Sequence, residues 1–435
     1  MGINRNQKIV NYILEVCSRV KFRDIHQDVK LELAGHIEEI VEEFVIRGLS
    51  EEEAVDRSLA QMGDADLVGR QLNKVHKPKP EWSVLLISVL FISIGLLATY
   101  FIQRQSLLTY DARLFESSVL FSSVSVIVIV GLYFFDYRKL ERYAKHIYLG
   151  TLFILIITVL WGNQANGSRC WLDLGPFNVN FVTISPVLFI AALAGIFSKW
   201  DWNKPFKLVQ AIALFAVPLF LILLAPSIST GAIFIFTCMV LMIFSGAKLK
   251  QVILTAGSFF ALLTLPIIAI KLHIIKGLGV LLNPVADPLG NGYLNIQLSK
   301  VISHSGFLGQ GLTFTPQVLP ELHTDFIFAF ITYTFGWIAS FLLIALVVGF
   351  LVRIALIAGQ IKIHYGKLLI SGFVSILAIQ FLWNILMNLG LAPISGVGLP
   401  FISYSCSQLV TNAATVGIIS SIYRRRNVSQ EYVLS

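Results

Sequence analysis

Glu321, His323, Thr324 and Asp325 place four proton-handling or hydroxylic side chains within one short stretch. The stretch runs straight into Phe326-Ile327-Phe328-Ala329-Phe330, the start of an apolar run that continues to about Phe350. A carboxylate at the end of a membrane helix is partly desolvated, which favours its neutral form and raises its pKa. An ionisable residue at membrane depth is by default a functional candidate. A carboxyl raised toward neutrality is suited to general acid–base chemistry. The competing structural role is helix capping, with Thr324 or Asp325 satisfying the first free amides.

The elements that must position this cluster are membrane helices. Of 435 residues, 56% are hydrophobic and only 13% charged, and the mean hydropathy is +0.77. A soluble chain carries about twice that charged fraction. The net charge of +8 fits Lys and Arg held on the cytoplasmic side of a membrane rather than a nucleic-acid partner. Cys17, Cys170, Cys238 and Cys406 are far apart with no metal-ligand spacing, so neither a zinc site nor a disulfide framework is expected.

Residues 1–80 differ from everything after them. They hold 14 of the 25 acidic residues. Apolar residues recur there at helical spacing, as in Ile9, Ile13 and Val16, then Leu33, Ile37, Ile40, Val41 and Phe44. Ser50 and Glu53 form a capping box for a helix that stops at Gly63-Asp64. This predicts a small soluble domain of about three helices on the cytoplasmic side, joined by the stiff Lys77-Pro78-Lys79-Pro80 linker. The charged start argues against a cleaved signal peptide.

From Trp82 onward the chain is a series of apolar runs, near 82–103, 115–135, 147–162, 181–198, 206–224, 229–246, 251–271, 326–351, 366–389 and 405–423. Spanning needs about 20 apolar residues, so these predict an all-α polytopic protein of about ten transmembrane helices over residues 81–425, with a tail at 426–435. With residues 1–80 inside, every inside loop is basic, from Arg138, Lys139 and Arg142 to Arg424, Arg425 and Arg426. Both termini then lie inside, as the positive-inside rule requires. Two outside segments are too long for simple turns: 163–180, and a large loop at about 272–325 that ends at Asp325. Loops of that length are usually functional.

On this topology the outside carboxylates are Asp111, Glu116, Asp173, Asp287, Glu321 and Asp325. Outside histidines are His273, His304 and His323. Asp325 alone continues into a long span, which makes it the strongest candidate base. Asp173 and Asp287 suit loop capping better. Asn384 and Asn388 stand four apart on one helical face, where they either line a cavity or bond a neighbouring helix. Ser403-Tyr404-Ser405 either contacts a ligand or caps the last helix.

Three segments together resemble one family. The first is Trp171-Leu172-Asp173-Leu174-Gly175-Pro176-Phe177. The second runs from Asn283-Pro284-Val285-Ala286-Asp287-Pro288 through Ile296-Gln297 and Gly306-Phe307-Leu308-Gly309-Gln310-Gly311 to Leu319-Pro320-Glu321-Leu322-His323-Thr324-Asp325-Phe326-Ile327-Phe328-Ala329. The third runs from Asn384 to Tyr404 and includes Ala392-Pro393-Ile394-Ser395-Gly396-Val397-Gly398-Leu399-Pro400-Phe401. In order and spacing over residues 82–425 they resemble the SEDS family (shape, elongation, division and sporulation) of FtsW, RodA and SpoVE. Residues 8–75 resemble the short helical prefix domains that precede some bacterial membrane proteins.

The resemblance implies a ten-helix membrane fold and peptidoglycan glycosyltransferase activity in the bacterial cytoplasmic membrane. Lipid II would be polymerised at the outer face, beside a class B penicillin-binding protein as partner. It puts the essential carboxylate on Asp325, as general base. Glu321, His323, Thr324, Gln297, Asn384, Asn388 and Ser403 are then candidates to touch substrate. A leaving diphosphate needs cationic or amide donors; Arg169, Lys276 and Lys300 are the outside candidates, with a bound divalent cation as the alternative and no other cofactor implied.

The chain also departs from the family pattern. Thr183 and Pro186 stand where the family has a membrane-embedded Glu and Lys, and Ser227 where it has an Asp. Cys170 precedes Trp171 where a basic residue is usual, with Arg169 one place earlier. Losing Glu and Lys together leaves no orphan charge in the bilayer, so the fold survives. Two other readings therefore stand beside the enzyme: a catalytically weakened relative that binds lipid II or a synthase partner and regulates it, and a transporter of lipid-linked precursors. The transporter reading lacks the internal repeat such proteins often show.

Overall fold

The computed structural model describes residues 6–75, 77, 80–105, 113–165, 168–173, 175, 178–269, 287–288, 290, 292–312 and 319–426. The chain forms two compact units: Met1–Pro80 with Ile422–Ser435, and Glu81–Ser421.

The first unit is built on α1 (Gln7–Arg19), α2 (His26–Ile46), α3 (Glu51–Met62) and α4 (Ala65–Val75), with a 3-10 turn at Arg23–Ile25. Ile9, Ile13 and Val16 of α1 pack with Val29, Leu33, Ile37 and Val41 of α2, the last four spaced by one turn each. Ser50 and Glu53 make the expected capping box. α4 exceeds the three helices expected. Its buried face is Ala65, Val68, Gly69 and Leu72, too small and too short for apolar periodicity to stand out. A Cβ on Gly69 would lie 2.7 Å from both Arg19 Cβ and Val16 O, so α1 and α4 approach closely. Within this unit Arg425 is buried and its Nε donates to Asp24 Oδ2 at 2.7 Å.

In the second unit all ten apolar runs are helical: α5 (Trp82–Arg104), α6 (Leu114–Phe134), α8 (Ala144–Trp161), α9 (Phe181–Phe197), α10 (Pro205–Leu224), α11 (Ile228–Phe244), α12 (Leu249–Ala269), α14 (Ile327–Gln360), α15 (His364–Asn388) and α16 (Cys406–Arg424). Two shorter helices, α7 (Arg138–Arg142) and α13 (Tyr293–Ser303), lie between them. Six helices are long and apolar enough to cross a membrane: α5, α6, α8, α10 over Phe206–Leu224, α14 and α15. α9, α11 and Leu249–Phe260 of α12 are apolar but shorter. The chain is an all-α, multi-pass membrane protein.

α15 is the centre of this unit. Its apolar window is 67% buried, against 22% for α6, and it packs against α9, α11 and α14. A Cβ on Gly372 of α15 would run into Ile190 of α9. Small residues at such crossings let helix backbones close up where no hydrophobic force separates helix from lipid.

Two features were not legible in the run pattern. Part of the 163–180 loop is an antiparallel sheet, β1 (Asn163–Ala165), β2 (Ser168–Asp173) and β3 (Asn178–Asn180), in the order β1-β2-β3. α14 is also broken at Gly336, which has φ 84°. The 306–311 loop fills the break: Gln310 N donates to Tyr333 O at 2.8 Å, Gly311 N to Thr334 O at 3.1 Å and Trp337 N to Gly306 O at 3.1 Å. A side chain at Gly336 would meet the Phe307 carbonyl.

Candidate active site

Leu319, Leu322 and Phe326 are buried and anchor the turn that precedes α14. The polar residues lie between these anchors. The Glu321 carbonyl accepts from Thr324 N (3.2 Å), Asp325 N (3.0 Å) and Phe326 N (3.3 Å). Closing the turn this tightly puts Glu321 at φ 52°, a left-handed conformation that costs a non-glycine residue of order 1–3 kcal/mol. Thr324 Oγ1 donates to Glu321 Oε2 at 2.9 Å. The helix N-cap is Phe326, with no side-chain cap bond, so neither Thr324 nor Asp325 serves as the cap.

Three consecutive carbonyls of this turn are held by the 384–404 segment. Tyr404 N donates to His323 O at 2.9 Å. Ser403 Oγ donates to Thr324 O at 2.6 Å while accepting from Leu399 N at 2.7 Å. Asn384 Nδ2 and Asn388 Nδ2 each donate to Asp325 O at 3.0 Å. Asn388 Oδ1 also accepts from Ala329 N at 3.2 Å, and Asn384 Nδ2 also donates to Val397 O at 2.7 Å. Both asparagines are buried. Both hold the turn through its Asp325 carbonyl, the hydrogen-bonding role that the sequence left open beside cavity lining.

The side chains of this turn project into a cavity of about 700 Å³. Glu321, His323, Thr324, Asp325 and Ser403 line it, and the His323 ring lies 5.5 Å from that of Tyr404. Burial first, and the Glu321 carboxylate second, raise the Asp325 carboxyl from 3.8 to about 7. It lies ahead of the first turn of α14 and is suited to take up a proton near neutral pH.

The rest of the wall comes from the β-sheet and from helix starts. Cys170, Trp171, Asn178 and Asn180 face the cavity from β2 and β3. Asn180 N donates to Ser407 Oγ at 2.9 Å, and Asn180 Oδ1 caps α9 by accepting from Thr183 N at 3.1 Å. α9, α11 and α16 all begin at this cavity, through Asn180 and Thr183, through Ser227 and Ser229, and through Ser405 and Gln408. Each helix start presents the positive end of a helix dipole, which attracts anions. Among the described residues, no Lys or Arg lines the cavity.

That last point corrects the cation candidates. Arg169 lies on β2 next to Cys170, but it is exposed and is not among the residues that line the cavity. Lys300 is exposed on α13, and Gln297 on the same helix also falls outside the lining. Lys276, Asp111 and His273 lie outside the described residues. Asp173 Oδ1 accepts from Gly175 N at 3.0 Å and Asp287 Oδ1 from Gly290 N at 3.1 Å, the loop-capping role. Glu116 is exposed on α6 and His304 is exposed after α13. Of the outside carboxylates expected from sequence, the structure brings Glu321 and Asp325 together in the cavity. Thr183 and Ser227 also line it, as neutral groups. Among the described residues, no group of three or more His, Cys, Asp or Glu is placed to hold a metal ion. Asn180 and Gln408 carried no sequence signal as cavity residues; Trp171 stood in a motif shared with the family, and Thr183 at a position where the family has an acid.

Several known proteins are similar to this chain. Stage V sporulation protein E of Bacillus subtilis (strain 168) is 29% identical over 370 residues, covering 80% of this chain and 98% of its own length. A probable peptidoglycan glycosyltransferase FtsW of Pseudoalteromonas translucida is 32% identical over 295 residues, 65% of this chain and 72% of that protein. Among solved structures, one described as "Structural coordination of polymerization and crosslinking by a peptidoglycan synthase complex" shares the fold with a TM-score of 0.69 at 22% identity, over 80% of this chain and 99% of that one. The rod shape determining protein RodA of Thermus thermophilus does so with a TM-score of 0.61 at 21% identity, over 80% of this chain and 98% of its own. Over residues 81–428 the sequence matches the family of FtsW, RodA and SpoVE, described as cell cycle proteins, and the chain belongs to that family.

Proposed function

We propose that this chain is a peptidoglycan glycosyltransferase that polymerises lipid II at the outer face of the bacterial cytoplasmic membrane, with both termini cytoplasmic. The observation that carries the reading is one carboxyl, Asp325, raised to about 7 and held by its backbone at the wall of a cavity onto which three helix N-termini converge. Asp325 takes the proton from the 4-hydroxyl of the acceptor N-acetylglucosamine. That oxygen attacks the anomeric carbon of the donor N-acetylmuramic acid. The bond from that carbon to phosphate breaks, and undecaprenyl diphosphate leaves with the electron pair. One positioned base contributes about 10²–10⁴-fold.

The leaving diphosphate needs preorganised donors. Among the described residues no Lys or Arg lines the cavity; the starts of α9, α11 and α16 supply donors, and a divalent cation carried on the diphosphate would add to the same stabilisation. Thr183 and Ser227 put neutral groups at two positions on the cavity wall. The partner we propose is a class B penicillin-binding protein, supplying the crosslinking transpeptidase. Division, elongation and sporulation are the processes such a polymerase serves in the family.

The same neutral positions are the observation behind the second reading, a weakened relative that binds lipid II and regulates a synthase. Purified wild type and Asp325→Ala, each given lipid II with and without a class B partner, separate the two. Glycan polymer from wild type alone supports the enzyme. Polymer from neither, with lipid II still bound, supports the regulator.

A further inference from the structure

α9 and α11 both begin at the Asp325 cavity. α9, at 17 residues, carries the chain about 25 Å away from it. Two loops meet at the far end, 198–204 after α9 and 245–248 after α11. Trp202 is buried and staples them together. Its indole N–H donates to Ser245 Oγ at 3.0 Å, and its carbonyl accepts from Gln251 Nε2 at 2.8 Å. Gln251 Oε1 in turn accepts from Lys248 N at 2.9 Å. Phe197 packs edge-on against Trp200 and Trp202, with ring centroids 5.2 and 5.3 Å away.

The staple gathers lysines. Lys199 and Lys204 of the first loop, with Lys248 and Lys250 at the start of α12, are all exposed. Two carboxylates lie near: Asp201, 3.8 Å from Lys204, and Glu141, which accepts from Ser198 Oγ at 2.8 Å. Among the described residues Lys199, Lys248 and Lys250 make no ion pair. Arg138 and Arg353, by contrast, are matched by Asp136 and Glu81.

Beside the lysines the surface turns apolar. Phe206 of α10 is 68% exposed and Leu249 of α12 is 70% exposed. Val209, Val217 and Phe220 continue the exposed face of α10, and Ile253 and Phe260 that of α12, at helical spacing. The two helices pack against each other. An apolar stripe is ordinary on a membrane helix. Here two neighbouring stripes start at lysines that are largely unneutralised and held on a fixed pair of loops.

We propose that this surface binds an anionic phospholipid of the inner leaflet, its phosphodiester against Lys199, Lys204, Lys248 and Lys250 and its acyl chains along α10 and α12. The inference stands apart from the polymerase reading and uses only the topology that puts both loops inside. Charge complementarity selects the occupant. The inner leaflet carries negative lipid, which attracts lysines near its surface. A zwitterionic lipid brings its own cation to the same place, and free phosphate leaves Phe206 and Leu249 uncovered.

The test uses the full-length purified chain in detergent, with phosphatidylglycerol and phosphatidylcholine of matched acyl chains as probes and retained lipid read by native mass spectrometry. Wild type is expected to hold phosphatidylglycerol in preference, less so at high salt. Lys204→Gln with Lys248→Gln is expected to weaken that binding at least about tenfold, equivalent to about 1.4 kcal/mol. Lys199→Gln with Lys250→Gln is expected to do the same, so the test survives if one pair fails to fold. Lys139→Gln with Lys145→Gln removes equal charge from exposed positions on α7 and α8 and is expected to leave binding unchanged.

Four results overturn the proposal. Wild type that holds phosphatidylcholine equally well has no anion site. Folded variants of both loop pairs that bind like wild type place the lipid elsewhere. An equal loss in the Lys139 and Lys145 variant shows diffuse charge alone. Displacement of the lipid by an equal concentration of inorganic phosphate shows a site for phosphate without acyl chains.

Discussion

Asp325→Asn separates what the carboxyl does for chemistry from what it costs the fold. Burial and Glu321 raise this carboxyl from 3.8 to about 7, so the folded state disfavours its ionised form. The cost is absent below the unfolded pKa, grows as pH rises, and is complete above the folded pKa. The interval from 3.8 to about 7 is roughly three pH units. At about 1.4 kcal/mol per unit, the wild type gives up roughly 4 kcal/mol of stability at pH 8. Asparagine is nearly isosteric and carries no charge. The variant is therefore expected to unfold at a higher temperature than wild type at pH 8, with the gap closing as pH falls toward 4. Thermal unfolding followed by tryptophan fluorescence, in one detergent across that pH range, reads both features. Polymerisation by the same variant is expected to be lost. A variant no more stable than wild type at pH 8, or a gap that does not shrink with pH, would refute the reasoning.

The scaffold behind the turn is open to equally direct tests. Asn388→Ala removes one of the two amides on the Asp325 carbonyl and leaves Ala329 N–H without its acceptor. A loss of about 1–3 kcal/mol is expected from the unmet group. A rate loss of about 10²-fold is expected from misplacing the base. Wild-type polymerisation by this variant in steady-state assays would show that the asparagine does not position the turn. Gly336→Ala puts a side chain against the Phe307 carbonyl at a positive φ. Backbone strain alone is of order 1–3 kcal/mol there. Faster amide exchange at Gln310 and Gly311 is expected as the loop detaches from α14, and unchanged exchange would refute the docking.

The membrane helices and Asp325 were legible in the sequence because each rests on a strong local cost. Twenty apolar residues have few soluble uses, and a carboxylate against such a run needs a reason. Asn384 and Asn388 show the limit of that logic. Two amides one turn apart look the same whether they face a ligand or a neighbouring carbonyl, and only the fold reveals Asp325 O between them. Arg169 and Lys300 failed for a related reason. Topology assigns a side of the membrane and says nothing about direction, and β2 lines the cavity with Cys170 and Trp171 while Arg169 is exposed. β2 was hidden because its pairing with β1 is short and irregular and that with β3 spans three residues. The convergence of α9, α11 and α16 is a tertiary fact that no single helix start carries. The break at Gly336 was invisible within a continuous apolar run, since its cause is the 306–311 loop.

The proposed role of Asp325 is that of a base in a site that raises its pKa. The pH dependence of kcat/KM for lipid II polymerisation by the purified chain, over about pH 5 to 9, tests it most directly, because that profile reports the free enzyme's base. An acid limb centred near 7 is expected, falling about tenfold per pH unit below it. Glu321→Gln should move the limb to lower pH while leaving it well above 3.8, since burial is the larger cause. A profile flat through about pH 5 to 8, or a limb indifferent to Glu321→Gln, would contradict the account.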